Sequence, residues 1–222
     1  MKVGAHQLGF CPWEGFWNKV LSSDVFVIYT GLQFTRKDYH HRAVWPDNNQ
    51  FFTVPVSGVN SGNGGVSIKD VCISDHKPIQ HAALRLKKWA KSKRAPYGER
   101  LAGIISILEN TRSPFLIDLN LSLFFEILLF FKAKVHIDVD SRTNWKDGPA
   151  VMINEMLERN KASVYMAGSG TPDYIKREDL CVEKVLMQKC SPFAPSILHM
   201  IGQVDNPLEY LMNNSAVWTE WE

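Results

Sequence analysis

The chain opens on a strand-like segment in which Val3 and Ala5 are apolar and which ends on a polar pair, His6 and Gln7. A loop containing Gly9 and Pro12 follows. Trp13, Phe16, Trp17, Val20 and Leu21 then recur at helical spacing. Pro12 suits the first turn of that helix, where its missing N–H is no loss. Residues 24–29, Asp-Val-Phe-Val-Ile-Tyr, form a nearly continuous apolar run of strand length, the mark of a strand buried on both faces. Strand, loop, helix and strand make one βαβ unit. Ligands in such units bind at the carboxyl ends of the parallel strands. His6 and Gln7 stand at one such end, and Thr30, Gly31 and Gln33 follow the other.

Beyond this unit, residues 43–50 read as a polar turn region. Residues 51–56 and 66–73 read as strands around a Gly/Asn-rich loop at 58–65, so 51–73 is expected to be a hairpin-like insertion. A helix over 79–94 buries Ile79, Ala82, Ala83, Leu86, Trp89 and Ala90. A second helix covers 99–109. A third, over 118–131, is apolar almost all round and should be central and buried, with Asp118 as its cap. Residues 79–131 thus form a helical section. Ala133, Val135, Ile137 and Val139 alternate with polar residues at strand period. A helix over 152–157, a strand over 162–167, a strand over 181–187 and a helix over 206–212 complete the pattern. Strand 162–167 runs into Gly168-Ser169-Gly170-Thr171-Pro172-Asp173-Tyr174, a glycine turn with a helix start. The tail from Trp218 to Glu222 is expected to pack locally or fray. The class is α/β: a single domain over residues 1–222 with a mainly parallel, Rossmann-like sheet, a βαβ opening unit and an inserted β-hairpin.

With 222 residues the chain can bury a sizeable core. A hydrophobic fraction of 45% with 22% charged residues fits a globular protein, and a net charge of +2 does not select a partner. The longest apolar stretch, 121–131, contains Ser122 and Glu126 and is too short to insert across a membrane. No basic, then apolar, leader opens the chain, so a cytoplasmic location is expected. The four cysteines are widely spaced, and free thiols are expected.

Nucleophile-elbow, P-loop and zinc-ligand spacings are absent, and neither a metal nor another cofactor is expected. His6 is the candidate general base: its intrinsic pKa is near neutral and it stands at a strand end. Gln7, Gln33, Arg36, Lys37, Tyr39, Arg42, Asn120, Gly168, Ser169 and Tyr174 are the candidate substrate-binding residues. Arg36 and Arg42 would hold phosphate or carboxylate oxygens, and the 168–174 turn would offer backbone N–H groups to an anion. Lys87, Lys88, Lys91 and Arg94 fall together on one side of their helix, as a solvated face or as a nucleic-acid contact.

The order of several short motifs resembles the WbqC-like family. They are His6-Gln7, Pro12-Trp13, Gly15, residues 24–27 (Asp-Val-Phe-Val), Gln33-Phe34, Arg42, residues 52–56, residues 95–97, residues 118–120, residues 168–170 and Asp173-Tyr174. The resemblance covers nearly the whole chain. It implies a transferase, found among surface-polysaccharide genes, that attaches an amino acid, glycine, to a sugar. The chain departs from the family pattern at Leu8, where proline is usual, at Thr30-Gly31, where two acidic residues are usual, and at His41, where asparagine is usual. Loss of the acidic pair implies altered chemistry, a lost metal or amine contact, or a changed substrate.

Three function classes follow. The first is a transferase joining an amino acid through its amine to an activated phosphorylated acceptor, such as a nucleotide-linked sugar. The second is an amino-acid transferase acting on an activated 5-hydroxymethyl pyrimidine in DNA, as in bacteriophage DNA hypermodification. The third is a non-catalytic module that binds a small ligand or nucleic acid.

Overall fold

The computed structural model describes residues 1–59, 65–143, 148–190 and 195–222. A six-stranded sheet forms its centre. In spatial order the strands are β10 (Val217–Glu220), β9 (Lys184–Lys189), β8 (Val164–Ala167), β1 (Lys2–Gln7), β2 (Val25–Tyr29) and β7 (His136–Asp140). All pairs are parallel except β9 with β10. The expected trio of core strands is adjacent: Gly4 pairs with Phe26 on one side and Met166 on the other. Every residue of β2 is buried, as its unbroken apolar run predicts.

Helix α1 (Glu14–Leu21) makes the crossover from β1 to β2. Its first residue is Glu14, so Pro12 lies just outside the first turn, where its carbonyl accepts from Ile197 N–H. The helical section consists of α2 (Lys77–Ala90), α3 (Ala102–Asn110) and α4 (Leu116–Phe130). Helix α5 (Gly148–Arg159) leads into β8, and α6 (Ile197–Gln203) and α7 (Pro207–Asn214) precede β10.

Several expectations need correction. The strand read at 51–56 is divided. Its first part, β4 (Gln50–Thr53), pairs back with β3 (Arg42–Trp45), inside the stretch read as a polar turn. Its end, β5 (Val56–Ser57), meets β6 (Cys72–Ile73) over two residues only. The reason is the tight turn at Asn49, a residue at φ 57°, which closes a hairpin earlier than the glycine loop does. Most of that glycine loop, 60–64, lies outside the described residues.

Helix α4 is buried on one side only. Leu119, Leu123, Phe124 and Ile127 face the core, whereas Phe125 and Leu129 are exposed. Its N-cap is Phe115; Asp118 lies inside the first turn and accepts from Ser113 Oγ. The 168–174 turn does not start an α-helix, only a three-residue 3-10 turn at Thr171–Asp173. The C-terminal tail is a strand, β10, zipped antiparallel onto β9. An alternating Val-Trp-Thr-Glu is short, and only a neighbour with free edge groups makes it a strand.

Candidate active site

The chain leaves β1 toward β2 and β7, then returns through α5 to the other side of β1 and adds β8 and β9. The strand order therefore reverses between β1 and β8, and the crevice at that point is where open α/β sheets bind ligands. A cavity of about 520 Å3 occupies it, within the range of small-molecule sites. The carboxyl end of β1 supplies Ala5, His6 and Gln7, and the turn after β8 supplies Gly168, Ser169 and Thr171. Trp13, Phe16 and Lys19 reach in from α1 and its cap, and Met152 and Ile153 from α5. Tyr29, Tyr165, Tyr174 and Gln188 complete the wall.

The main chemical feature is Lys19. It lies on the buried side of α1 and is 3% exposed. Two glycines make its path across the sheet. A Cβ on Gly4 would stand 3.4 Å from its Cγ, and a Cβ on Gly168 would stand 2.9 Å from its Nζ. The ammonium therefore rests where β8 ends. Among the described residues no carboxylate or hydrogen-bond acceptor pairs with it. Burial lowers its pKa to about 8. Its electrostatic neighbour Cys190 is no counter-ion at neutral pH, because burial raises that thiol above its ordinary value. A buried cation without a partner is costly. Here it lines the cavity.

His6 is exposed to the cavity but packed round by protein, with Phe16 edge-on to its ring at 5.5 Å. Its Nδ1 lies 2.7 Å from the Gln7 carbonyl, which can only accept, so Nδ1 carries the proton and Nε2 keeps a lone pair. Desolvation, and then the Lys19 charge, push its pKa down to about 3. The ring is therefore neutral and weakly basic at pH 7. An anion docked on Lys19 cancels the second of those influences and raises the proton affinity of His6.

Gln7 is held by His40. The Thr35 N–H donates to His40 Nδ1, so His40 Nε2–H donates to Gln7 Oε1 at 3.0 Å. This leaves the Gln7 amide N–H groups for the cavity. Desolvation lowers the pKa of His40 to about 4 and keeps it a neutral donor. Gln188 is anchored too, donating to the Gly15 carbonyl at 2.7 Å. Burial holds the Tyr29 and Tyr165 phenols protonated, so both present neutral hydroxyls.

Of the residues proposed from sequence, His6, Gln7, Gly168, Ser169 and Tyr174 line this cavity. Gln33, Arg36, Lys37, Tyr39, Arg42 and Asn120 do not. The loop after β2 is drawn away by its own backbone bonds: Phe34 N–H to Val66, Ile68 N–H to Leu32 and Phe10 N–H to Tyr39. Arg36 donates to the Val59 carbonyl, and Arg42 donates to the Lys37 carbonyl while its guanidinium stacks 4.8 Å from the Phe51 ring. Asn120 is buried under this loop and donates to the His40 carbonyl. It supports the segment that orients Gln7. The glycine turn brings no helix N-terminus, so its backbone is not backed by a helix dipole.

Lys87, Lys88, Lys91 and Arg94 are exposed on and just after α2, away from the cavity wall, and Lys87 is paired with Glu109 at 3.1 Å. Among the described residues no group of His, Cys, Asp or Glu side chains could hold a metal ion.

Sequence reasoning missed Lys19, Trp13, Phe16, Tyr29, Tyr165, Thr171 and Gln188. Lys19 had left a signal: it stands three residues after Phe16, on the stripe that α1 buries. A charged residue on an apolar stripe asks for a reason. Gly168 offers a test. Gly168→Ala should leave the melting temperature within a few degrees, because the crowded atom is the tip of a flexible side chain. It should weaken anion binding by displacing the ammonium, as read by calorimetric titration.

The four histidines at positions 6, 40, 41 and 199 all have lowered pKa values through desolvation. The unfolded chain therefore binds more protons than the folded one below about pH 6.5, and stability falls as pH falls. For His40 the loss continues to about pH 4. Each fully shifted histidine contributes a slope of about 1.4 kcal/mol per pH unit. Denaturant midpoints measured from pH 7 to pH 4 should decline steadily. A flat profile would show these rings already charged in the fold.

Residues 7–188 match the model of the WbqC-like protein family. No curated protein and no solved structure matches the chain. Because the match spans most of the 222 residues and takes in α1, β2, β7, β8 and the turn after β8, the chain belongs to the WbqC-like protein family.

Proposed function

We propose that the protein is a transferase that holds an amino acid by its carboxylate on Lys19 and delivers its amine to an activated phosphorylated acceptor. The observation that carries this reading is the buried Lys19 ammonium, without a carboxylate among the described residues, beside a neutral His6 in one cavity. The carboxylate supplies the missing counter-charge. His6 Nε2 takes the proton from the attacking amine. The amine lone pair forms the new bond to the acceptor carbon as the bond to the phosphate-bearing leaving group breaks. A glycine has five non-hydrogen atoms, whereas about 520 Å3 equals the liquid volume of about 17 waters. The cavity therefore has room for the acceptor's reactive end as well. The aromatic wall of Trp13, Tyr165 and Tyr174 suits a ring, and Gln7 and Gln188 would orient it through neutral hydrogen bonds.

The acceptor is a nucleotide-linked sugar in this reading. The test is transfer of isotopically labelled glycine to a panel of nucleotide-linked sugars. His6→Ala should lower turnover by about 10²–10⁴-fold, the usual worth of a general base, and should melt like the parent. Turnover within a few-fold of the parent would remove His6 from the mechanism.

A second reading, with DNA as the acceptor, is favoured by one observation. Lys88, Lys91, Lys93 and Arg94 are exposed and form no ion pair among the described residues. Binding to DNA carrying an activated hydroxymethyl pyrimidine should then weaken steeply with salt, with a log–log slope of about −0.9 per neutralised phosphate. Amino-acid binding without transfer to either acceptor would leave the non-catalytic module.

A further inference from the structure

A second hollow, of about 690 Å3, opens at the amino edge of the sheet, the end opposite the candidate active site. Its wall is apolar: Met166 and Leu186 from the sheet, Trp218 from β10, and Leu208 and Met212 from α7. Leu208 and Met212 stand one turn apart on α7 and are 40% and 42% exposed. Apolar side chains lining an open groove are what an apolar ligand covers.

The rim has a sign. Lys2, Lys132 and Lys134 border the hollow, and among the described residues none has an ion-pair partner. The single acid there, Asp24, already accepts the Lys2 backbone N–H at 2.7 Å. The rim therefore carries three cations against one engaged carboxylate. Lys132 is held at φ 49°, the left-handed position just after α4, which fixes its backbone at the rim.

We propose that this hollow binds a single-chain amphiphilic anion, its hydrocarbon chain along Leu186, Leu208 and Met212 and its carboxylate or phosphate on Lys132 and Lys134. The proposal is independent of the transferase reading, since it shares no residue with that cavity. It gives the protein a second ligand on the far side of the same strands.

Calorimetric titration with sodium dodecanoate, below its micelle concentration, is the test. One saturable site per chain is expected. The double variant Lys132→Glu/Lys134→Glu should weaken it about ten-fold or more, the worth of a charge-assisted contact. Met212→Asp should weaken it as well. All these positions are exposed or at the rim, and unchanged melting curves would confirm that both variants fold. Dodecyltrimethylammonium, the cationic counterpart, should not bind. Equal binding of the cationic amphiphile, or unchanged dodecanoate affinity in both variants, would overturn the proposal. So would sedimentation with phosphatidylglycerol vesicles without dodecanoate binding, which would make the partner a membrane surface.

Discussion

Replacing Lys19 with methionine should make the protein more stable and weaken the carboxylate binding proposed for this side chain. The side chain is buried, and burial lowers its pKa from 10.5 to about 8. A cation whose folded pKa lies below its unfolded value costs stability at any pH under the folded value, and the penalty vanishes above the unfolded one. At neutral pH the penalty is on the order of 3 kcal/mol. Methionine fills similar space without charge, and such replacements are commonly neutral or stabilising. The melting temperature should rise by about 5–10 °C, at the usual few degrees per kcal/mol for a chain of this length. The parent should close this gap as pH rises from 8 toward 10.5, because its lysine then folds uncharged. Carboxylate affinity should fall by about 10–100-fold, the worth of a charge-assisted hydrogen bond. A lowered melting temperature would show that Lys19 has a structural partner instead.

Phe124→Asp should abolish cooperative folding. Phe124 is 1% exposed, stacks on Trp17 at 5.1 Å between centroids and stands edge-on to Phe16 at 6.2 Å. It is the point where α4 grips α1. Aspartate there loses the packing of a large ring and strands a carboxylate among apolar atoms, each costing several kcal/mol. The sum is comparable with the whole stability of a domain. Circular dichroism should show no melting transition. Leu129→Asp, on the same helix at 73% exposure, is the control and should melt like the parent. A folded Phe124→Asp would mean that α4 does not support α1.

The sheet was legible because its strands carry strong local signals. The apolar run of β2 and the polar pair that ends β1 place both strands and their carboxyl ends without reference to anything distant. Helix α2 announced its buried stripe in the same way. What depended on partners far along the chain was not legible. The exposed side of α4 looks like core in sequence because Phe125 and Leu129 are as apolar as Phe124, and only the neighbours decide which face is covered. The tail became β10 because β9 offered it an edge. Arg36 and Arg42 follow a strand end in sequence, which is where an anion site is expected, but backbone bonds to residues 66–68 and Phe10 carry their loop elsewhere. Lys19 was hidden by the opposite effect. Its buried path depends on the absence of side chains at Gly4, in β1, and at Gly168, just after β8, two segments far apart in sequence.

The central claim is that Lys19 binds a carboxylate beside His6. The most direct measurement is calorimetric titration of the protein at pH 7 with glycine and with glycinamide, which keeps the amine but lacks the carboxylate. The account predicts saturable glycine binding that Lys19→Met removes, and no binding of glycinamide. Glycinamide binding as tightly as glycine, or glycine binding that survives Lys19→Met, would contradict it.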